Sequence, residues 1–402
     1  MTDLQRAIAA LGPEALRESA LIEHIHPLFS RSLHNNGKAI YLANHSLGRP
    51  LDRTAEDVQE GLNVWYPALA DGWSRWSAEV LAFRKRVADL LHAPDPHCII
   101  PKTNAAQGLR AVLNSYSQPI RVAATLSEFD SIDLTLKTYA ARGRIVVDWV
   151  KPREECWYRY EDFEAPLNAS PELLVMSLIF FDTGQLLSDL EPVLAKARNT
   201  GVKVLLDLYH AAGAIPVDVQ KLSVDFAIGG SYKYLRGGPG AAWLYASPQR
   251  LDEGERTLDA GWFALRDPFA FERHQSPEFA CGGDGWLDAT PAVLPFYQAR
   301  AGLEFTLAIG VERIRAYSLM QQVLLIDLLR ERGITAINAD WPHGAFLTVK
   351  APRAKNLAAR LREEGVIIDA RSDSLRICTD ILNRTAELSE AVGKIGRAFR
   401  DC

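Results

Sequence analysis

The sequence predicts an α/β fold of three layers, in which helices cover both faces of a mostly parallel sheet. The first observation is a series of continuous apolar runs of strand length that alternate with helical segments over residues 120–245. The second is a loop-rich segment over 251–290, after which long helices are expected. The third is an alternation of short strands and helices from residue 345 onward, which predicts a smaller α+β C-terminal domain.

The first two-thirds of the chain supplies the predicted sheet. An interrupted helix over 3–20 and a short strand over 38–42 come first, and an amphipathic helix follows over 74–92. Another helix is expected from Asn104 to about Ser115. The remaining predicted elements are strands at 120–124, 145–150, 173–180, 202–206, 224–228 and 241–245, with helices at 131–142 and 189–199.

The last third predicts long helices and then a compact unit. The helices are expected to begin at Thr290-Pro291, because proline is favourable at the first helical position. The predicted C-terminal elements are strands at 345–350, 366–369 and 374–378 and helices at 353–364 and 384–400. We therefore divide the chain into an N-terminal segment (1–60) packed with the small domain, a large domain (61–290) and the small C-terminal domain (291–402).

Composition narrows the class of protein. The net charge is −5 and there is no basic block, so nucleic acid and anionic membranes are not expected as partners. Five cysteines without metal-like spacing are typical of a reducing cytosol. The first residues lack the pattern of a signal peptide, so we expect a cytoplasmic protein. His24 and His26 have no partner ligands at metal spacing, and no metal site is expected.

A lysine motif is the strongest functional signal. Lys233 lies between Tyr232 and Tyr234 and is followed by a glycine-rich turn over 237–240, while Asp207 closes the apolar run before it. A lysine amine in such a turn can form an imine with pyridoxal 5′-phosphate (PLP). An acid at the end of a buried strand can keep the pyridine nitrogen of this cofactor protonated. The motif therefore predicts a PLP site.

Other residues that follow predicted strands complete this site. Ligands of parallel sheets bind at the carboxyl ends of the strands, so these side chains are expected to converge. Thr103 and Asn104 begin a helix, whose free N–H groups favour a phosphate. Phe129 can stack on a flat ring, and His210 follows the same strand as Asp207.

At these motifs the sequence resembles kynureninases, which belong to the class V aminotransferase family of PLP-dependent enzymes with the aspartate aminotransferase-type fold. The match is close over 207–218, 225–229 and 232–240. Weaker similarity extends over 41–48, 183–185, 261–263 and 375–377. The resemblance implies hydrolytic Cβ–Cγ cleavage of kynurenine, or a related aryl-keto amino acid, to an anthranilate-type product and alanine in tryptophan catabolism.

The resemblance also implies roles for individual residues around the cofactor. Lys233 would form the imine and carry protons, Tyr232 would bind the phosphate and assist proton transfer, and Asp207 would pair with the pyridine nitrogen. His210 would lie near the ring and Phe129 would stack on it.

More distant residues would complete the cofactor site in a homodimer. Thr103 and Asn104 would hold the phosphate, and Trp262 and Thr290 would reach it across the interface. The resemblance therefore implies active sites shared between two subunits.

The substrate side of the site contains departures from the family pattern. Arg376 would clamp the α-carboxylate, and His45 and Ser46 would contact the substrate. Asn44-His45 replaces the usual Gly-Asn, and Tyr209 replaces an alanine. Ile132 replaces a cofactor-facing aspartate, and the candidates to take over its task are Asp130 and Asp133.

Two other reactions and a non-catalytic role stay open. An aminotransferase would need a second, 2-oxo acid substrate, and a lyase or desulfurase would expel a group from Cβ. Cys281 and Cys378 are interpreted as structural, because neither lies in a recognisable reactive loop. A binding module without activity would be expected to lack Lys233 or Asp207, and both are present.

Overall fold

The computed structural model describes residues 1–400 apart from positions 36, 38, 188, 255 and 274. Its strands form one large sheet and two small ones. The strands are β1 (Ile40–Tyr41), β2 (Ile99–Lys102), β3 (Ile120–Thr125), β4 (Ile145–Val150), β5 (Leu173–Ser177), β6 (Lys203–Asp207), β7 (Phe226–Gly230), β8 (Ala242–Ala246), β9 (Leu347–Lys350), β10 (Val366–Ile367), β11 (Asp369–Arg371) and β12 (Ser374–Ile377).

The α-helices surround these sheets. In chain order they are α1 (Asp3–Leu11), α2 (Glu18–Ala20), α3 (Ser30–Asn35), α4 (Thr54–Ala68), α5 (Trp73–Leu91), α6 (Ala105–Leu113), α7 (Asp130–Ala141), α8 (Glu161–Asn168), α9 (Leu190–Thr200), α10 (Val219–Leu222), α11 (Pro248–Asp252), α12 (Leu294–Ile309), α13 (Val311–Arg330), α14 (Ala354–Glu363) and α15 (Thr385–Arg400). No helix within the described ranges is both long and apolar enough to cross a membrane.

The large sheet has seven strands in the order β2-β8-β7-β6-β5-β3-β4. Strand β8 is antiparallel to both of its neighbours, and the other adjacent pairs are parallel. Strands β5 and β7 are buried along their whole length, which explains their continuous apolar sequences. The predicted α/β fold with a mostly parallel sheet is confirmed.

The strand order brings one set of chain segments to the carboxyl edge of the sheet. Because β3, β5, β6 and β7 run parallel, the residues at their carboxyl ends lie at the same edge. Ser177 and Asp207 are direct register partners there. Helix α6 begins directly after β2, on the other side of β8.

The C-terminal part contains a second sheet in the order β11-β12-β9, in which both pairs are antiparallel. Its apolar residues and those of α14 and α15 form a separate hydrophobic cluster. Strand β1 from the N-terminal segment pairs with β10, with Ile40 opposite Val366, and so joins this cluster. The domain boundaries given by the sequence stay a prediction.

Several element boundaries differ from the sequence prediction. Helix α12 begins at Leu294, not at Thr290-Pro291, and Pro295 is the proline that occupies its first turn. The first predicted helix already ends at Leu11, because Gly12 adopts a positive φ of 62°. The predicted strand over 38–42 is reduced to β1, and position 38 lies outside the described residues. Strand β11 was not predicted.

Candidate active site

A cavity of about 120 Å³ opens at the carboxyl edge of the large sheet, and we call it the lysine cavity. It is lined by the residues that follow four parallel strands and by the first residues of α6. These are Asn104, Ala105, Ala106, Phe129, Ser131, Ser177, Ile179, Phe181, Asp207, Tyr209, His210, Tyr232 and Lys233. Six of the nine cofactor-binding residues expected from the sequence are therefore brought together: Asn104, Phe129, Asp207, His210, Tyr232 and Lys233.

Lys233 lies in the turn that follows β7 and is held there by the N-terminal segment. Gly48 N–H donates to Tyr232 O at 2.9 Å, and a Cβ at Gly48 would lie only 1.9 Å from Lys233 O. The Lys233 side chain is buried, and its Nζ lies 2.9 Å from His210 Nε2. Burial lowers the pKa of Lys233 to about 7, and the nearby carboxylate of Asp207 opposes this shift. The amine is therefore more readily deprotonated than an ordinary lysine.

Asp207 and His210 are both buried beside this amine. Asp207 closes β6 and accepts a hydrogen bond from Tyr209 N–H at 2.7 Å. Burial raises the pKa of Asp207 and lowers that of His210, whose imidazole is therefore neutral. His210 Nδ1 has no hydrogen-bond partner among the described residues, so this buried atom is available to a ligand.

Aromatic rings surround the amine of Lys233. Its Nζ lies 5.3 Å from the ring centroid of Tyr209, 5.4 Å from that of Phe129 and 5.7 Å from that of Tyr232. Phe129 is held by an edge-on contact with Phe181, at a centroid distance of 5.5 Å. The cavity thus offers flat apolar faces next to a reactive amine.

The N-terminus of α6 closes one side of the lysine cavity. Asn104 caps the helix by accepting a hydrogen bond from Gln107 N–H at 3.0 Å. The first backbone N–H groups of a helix have no intrahelical acceptor, and the helix dipole adds positive charge there. Asn104, Ala105 and Ala106 line the cavity, so this end can bind an anion.

The remaining cofactor-binding candidates lie around a second cavity of about 510 Å³, which we call the aromatic cavity. Thr103 and Thr290 line it together with aromatic side chains that include Trp73 and Phe263. Trp262 Nε1 donates to Thr290 Oγ1 at 3.2 Å. Thr103, Trp262 and Thr290 are therefore not part of the lysine cavity within one chain.

Arg376 lies behind the lysine cavity with two terminal nitrogens already engaged. It is buried on β12, where it donates to Phe181 O and forms an ion pair with Asp369, its cross-strand neighbour. His45 Nε2 lies 3.3 Å from the same carboxylate. Burial and the charge of Arg376 lower the pKa of His45 to about 3. His45 and Arg376 thus contact the same carboxylate, that of Asp369. Ser46, the other residue of the predicted pair, is exposed.

The acids suggested as replacements for the missing aspartate do not line the lysine cavity. Asp133 forms an ion pair with Lys137 at 2.8 Å on the surface of α7. Asp130 lines a neighbouring cavity next to Arg371. Ile132, at the family position, is fully buried. A role of either acid toward the cofactor therefore stays a prediction.

Sequence reasoning missed Ser177 and Glu128. Ser177 is the polar last residue of a buried strand, and this position could have indicated a residue of the site. Glu128 directly precedes Phe129 and is buried, with Ser177 N–H donating to its Oε1 at 2.9 Å. Nothing local in the sequence indicates this contact, because it joins the segment after β3 to the last residue of β5.

Comparison with protein families identifies a match over most of the chain. The family described as Aminotransferase class-V matches residues 70–392, which is most of the chain. A kynureninase of Deinococcus radiodurans is 28% identical over 357 residues, covering 84% of each chain. A kynureninase of Shouchella clausii is 25% identical over 372 residues, covering 87% of this chain and 86% of the relative.

Solved structures with a similar fold come from other enzymes. A cystine C–S lyase in complex with cysteine persulfide has a TM-score of 0.81 at 19% identity and covers 90% of this chain and 98% of its own. A cysteine desulfurase from Thermococcus onnurineus NA1 has a TM-score of 0.81 at 17% identity and covers 92% of this chain and 96% of its own. At these identities the likeness shows the fold alone.

The family match, the kynureninase relatives and the geometry of the lysine cavity agree with one another. The predicted resemblance to kynureninases and the predicted cofactor are confirmed. The chain belongs to the class V aminotransferase family as a kynureninase-like member, and this membership identifies pyridoxal 5′-phosphate as its cofactor.

Proposed function

We propose that the chain is a hydrolase that cleaves the Cβ–Cγ bond of kynurenine or a related aryl-keto L-amino acid. The products would be an anthranilate-type compound and alanine, as in tryptophan catabolism. Kynureninase relatives that match along 84–87% of the chain support this reaction. The observation that carries the proposal is the buried amine of Lys233 beside Asp207 and His210 at the carboxyl edge of the sheet.

The residues of the lysine cavity fit the cofactor. The N-terminus of α6 at Asn104 would hold the phosphate, and Phe129 would cover one face of the ring. Asp207 would accept a hydrogen bond from the pyridine nitrogen, and Lys233 would bind the cofactor covalently. The orphaned Nδ1 of buried His210 supports this fit, because a polar ligand would supply the missing partner.

Lys233 would also move the proton of the substrate. When bound, PLP withdraws electrons from the substrate Cα and so makes its C–H bond acidic. The pKa of about 7 lets the Lys233 amine accept this proton near neutral pH and return it later. His210 would orient the amine through the 2.9 Å contact as a neutral acceptor, since burial strongly lowers its pKa.

Arg376 would bind the α-carboxylate of the substrate. Its present partner, Asp369, is itself a carboxylate, which supports this choice of ligand. Arg376 Nε has no partner among the described residues, so the guanidinium retains a free donor. A second carboxylate would have to share or take over a nitrogen that Asp369 or Phe181 O now occupies.

Tyr209 would limit the size of the substrate side chain. It lines the lysine cavity, packs on Tyr232 at a centroid distance of 5.3 Å, and fills the space beside Gly230. A Cβ at Gly230 would lie 2.0 Å from the Tyr209 hydroxyl oxygen. A tyrosine at this position makes the lysine cavity narrower than an alanine would. The proposed substrates therefore include aryl-keto amino acids other than kynurenine.

A desulfurase is the less favoured alternative. Among the described residues no cysteine lines the lysine cavity. Cys378 is buried, donates to Ala345 O at 3.2 Å, and has its pKa raised by burial to about 12. Cys156 lines the neighbouring cavity, and burial also raises its pKa. Neither thiol is suited to act as a nucleophile.

The proposal includes a cytoplasmic homodimer with shared active sites. Large apolar side chains are exposed in the segments beside the aromatic cavity, among them Trp65, Tyr66 and Phe271. Contact with a second copy would cover them and bring Trp262 and Thr290 toward the partner's phosphate. Sedimentation of the purified protein is expected to give twice the mass of one chain, and a monomer would refute this part.

The test of the function is an absorbance and fluorescence assay of the purified protein. Addition of L-kynurenine or 3-hydroxykynurenine is expected to change the cofactor band and release a fluorescent anthranilate without any 2-oxo acid. Turnover that requires a 2-oxo acid would identify an aminotransferase. Sulfide release from cysteine or cystine would identify a lyase or desulfurase and would overturn the hydrolase.

A further inference from the structure

Glu128 is a buried acid that the proposed mechanism does not use. The residue is 3% exposed, and its carboxyl group connects the ends of β3 and β5 through contacts with Thr125 and Ser177. Its Oε1 accepts the backbone N–H of Ser177 at 2.9 Å and also contacts Thr125 Oγ1. Its Oε2 lies 2.8 Å from Ser177 Oγ. Ser177 in turn lines the lysine cavity, so Glu128 contacts the cavity wall from behind.

The charges around Glu128 favour its neutral form. Asp207, the register partner of Ser177 on β6, is the charged neighbour on that side, and it repels a second carboxylate. Tyr158 packs nearby, with its hydroxyl 3.2 Å from Ser127 Oγ, and brings no positive charge. When the Lys233 amine is protonated, its charge acts on Asp207. Burial raises the pKa of Glu128 to about 8, although the hydrogen bonds that Thr125 and Ser177 can donate to an ionised carboxylate oppose the shift.

We propose that Glu128 is a positioning residue, a neutral acid that turns the hydroxyl group of Ser177 toward the cofactor. Oε1 already accepts the Ser177 N–H, so it is the carbonyl oxygen, and the proton lies on Oε2. Oε2–H then donates to Ser177 Oγ over the 2.8 Å contact. The hydroxyl proton of Ser177 is thereby free to donate into the lysine cavity. An ionised Glu128 would instead accept that proton, and Ser177 could only accept from the cofactor.

The inference rests on the cofactor part of the proposed function and not on the substrate. Glu128→Gln preserves the proposed arrangement, because the amide oxygen can accept Ser177 N–H while the amide N–H donates to Ser177 Oγ. Glu128→Ala and Ser177→Ala remove it. The matched control is Glu172→Gln at the opposite end of β5, an exposed side chain that also accepts a backbone N–H, from Arg121 at 2.7 Å.

The experiment measures the dissociation constant of PLP and the pH titration of the bound-cofactor absorbance in each variant. Glu128→Gln and Glu172→Gln are expected to stay within about twofold of the unchanged protein. Ser177→Ala and Glu128→Ala are expected to weaken binding about tenfold and to shift the absorbance titration. A Glu128→Gln variant that behaves like Ser177→Ala would overturn the inference, because it would mean that the native group is ionised.

An infrared measurement on the unchanged protein decides the matter even if a variant fails to fold. At neutral pH the protein labelled with ¹³C-glutamate is expected to show a shifted C=O band of a protonated glutamic acid. The absence of such a band would overturn the inference. Failure of the protein to bind PLP would refute the proposed function, and the infrared band would still report the protonation of Glu128.

Discussion

The lysine cavity and the group of Arg376, Asp369 and His45, which we call the Arg376 cluster, lie close together but differ in how their charged groups are paired. In the lysine cavity, Lys233 contacts a neutral imidazole, and His210 retains a buried nitrogen without a partner in the described part of the chain. In the Arg376 cluster, Asp369 pairs with Arg376 and contacts His45. Under the proposed function, the first region would hold a ligand that stays bound, and the second would have to exchange contacts to bind one.

This difference follows from the supporting secondary structure. The lysine cavity is built on four parallel strands of the large sheet, whose buried apolar residues fix the ends of the strands. The Arg376 cluster is built on a small antiparallel sheet and on β1, which pairs with β10 over only two residues. The contacts that a substrate carboxylate would have to replace thus lie in the smaller unit. We expect this unit to change conformation more easily than the large sheet.

The largest expected effect concerns the lysine cavity. Lys233→Ala is expected to abolish the covalent cofactor band and to reduce turnover by about a thousandfold or more, because both the covalent bond and the proton acceptor are lost. Absorbance spectra and steady-state kinetics measure this. Lys137→Ala, which removes an exposed lysine paired with Asp133, is the control and is expected to change neither. An intact band in Lys233→Ala would contradict the assignment.

A smaller effect is expected in the Arg376 cluster. Arg376→Lys keeps the positive charge but cannot form two parallel hydrogen bonds with a carboxylate. We expect KM for the amino-acid substrate to rise about tenfold while the dissociation constant of PLP stays unchanged. Kinetics and cofactor titration separate the two quantities. An unchanged KM would show that another group binds the carboxylate.

The pH dependence of stability should distinguish the two regions further. The pKa of His45 is lowered from 6.5 to about 3 in the folded protein, so the unfolded chain binds more protons between these values. The contribution of His45 to stability is therefore complete above pH 6.5 and is lost as the pH falls toward 3.

Replacement of His45 tests this contribution. His45→Gln is expected to reduce the loss of unfolding free energy between pH 7 and pH 5 by about 2 kcal/mol. Urea unfolding at the two pH values measures this loss. His34→Gln, at an exposed position, is the control. Equal pH dependence in both variants would contradict a buried neutral His45.

The smallest expected effect concerns the width of the lysine cavity. Tyr209→Ala removes the ring that packs on Tyr232 and lies beside Gly230. We expect kcat/KM for kynurenine to rise a few-fold, roughly 1 kcal/mol, relative to that for a smaller amino acid. Competition kinetics with both substrates measures the ratio. A fall in this ratio would mean that Tyr209 contacts the aryl ring favourably.

The sequence predicted those parts of the fold and site that depend on local pattern. The buried strands of the large sheet and the pair Asp207 and Lys233 follow from short contiguous motifs, and the structure brings this pair into one cavity. Glu128 was not predicted as a residue of the site, because its burial depends on contact with Ser177 from a distant strand. The start of α12 was misplaced because Pro291 and Pro295 carry the same local signal, and in the structure Pro295 occupies the first turn.

The partners of the Arg376 cluster were also beyond local pattern. Strand β11 has only three residues, so the cross-strand pairing of Asp369 with Arg376 leaves no periodic signal. The contact of His45 with Asp369 joins opposite ends of the chain. The sequence identified Arg376 and His45 as candidates but gave no means of seeing that one carboxylate contacts both.

The central claim is that Lys233 holds the cofactor, and borohydride reduction of the PLP-loaded protein tests it most directly. Reduction fixes the cofactor to its lysine, and peptide mass spectrometry then identifies the labelled residue. The account predicts a phosphopyridoxyl group on Lys233 as the dominant product. A label on another lysine, such as the buried Lys102 that pairs with Asp288, or no label at all, would contradict it.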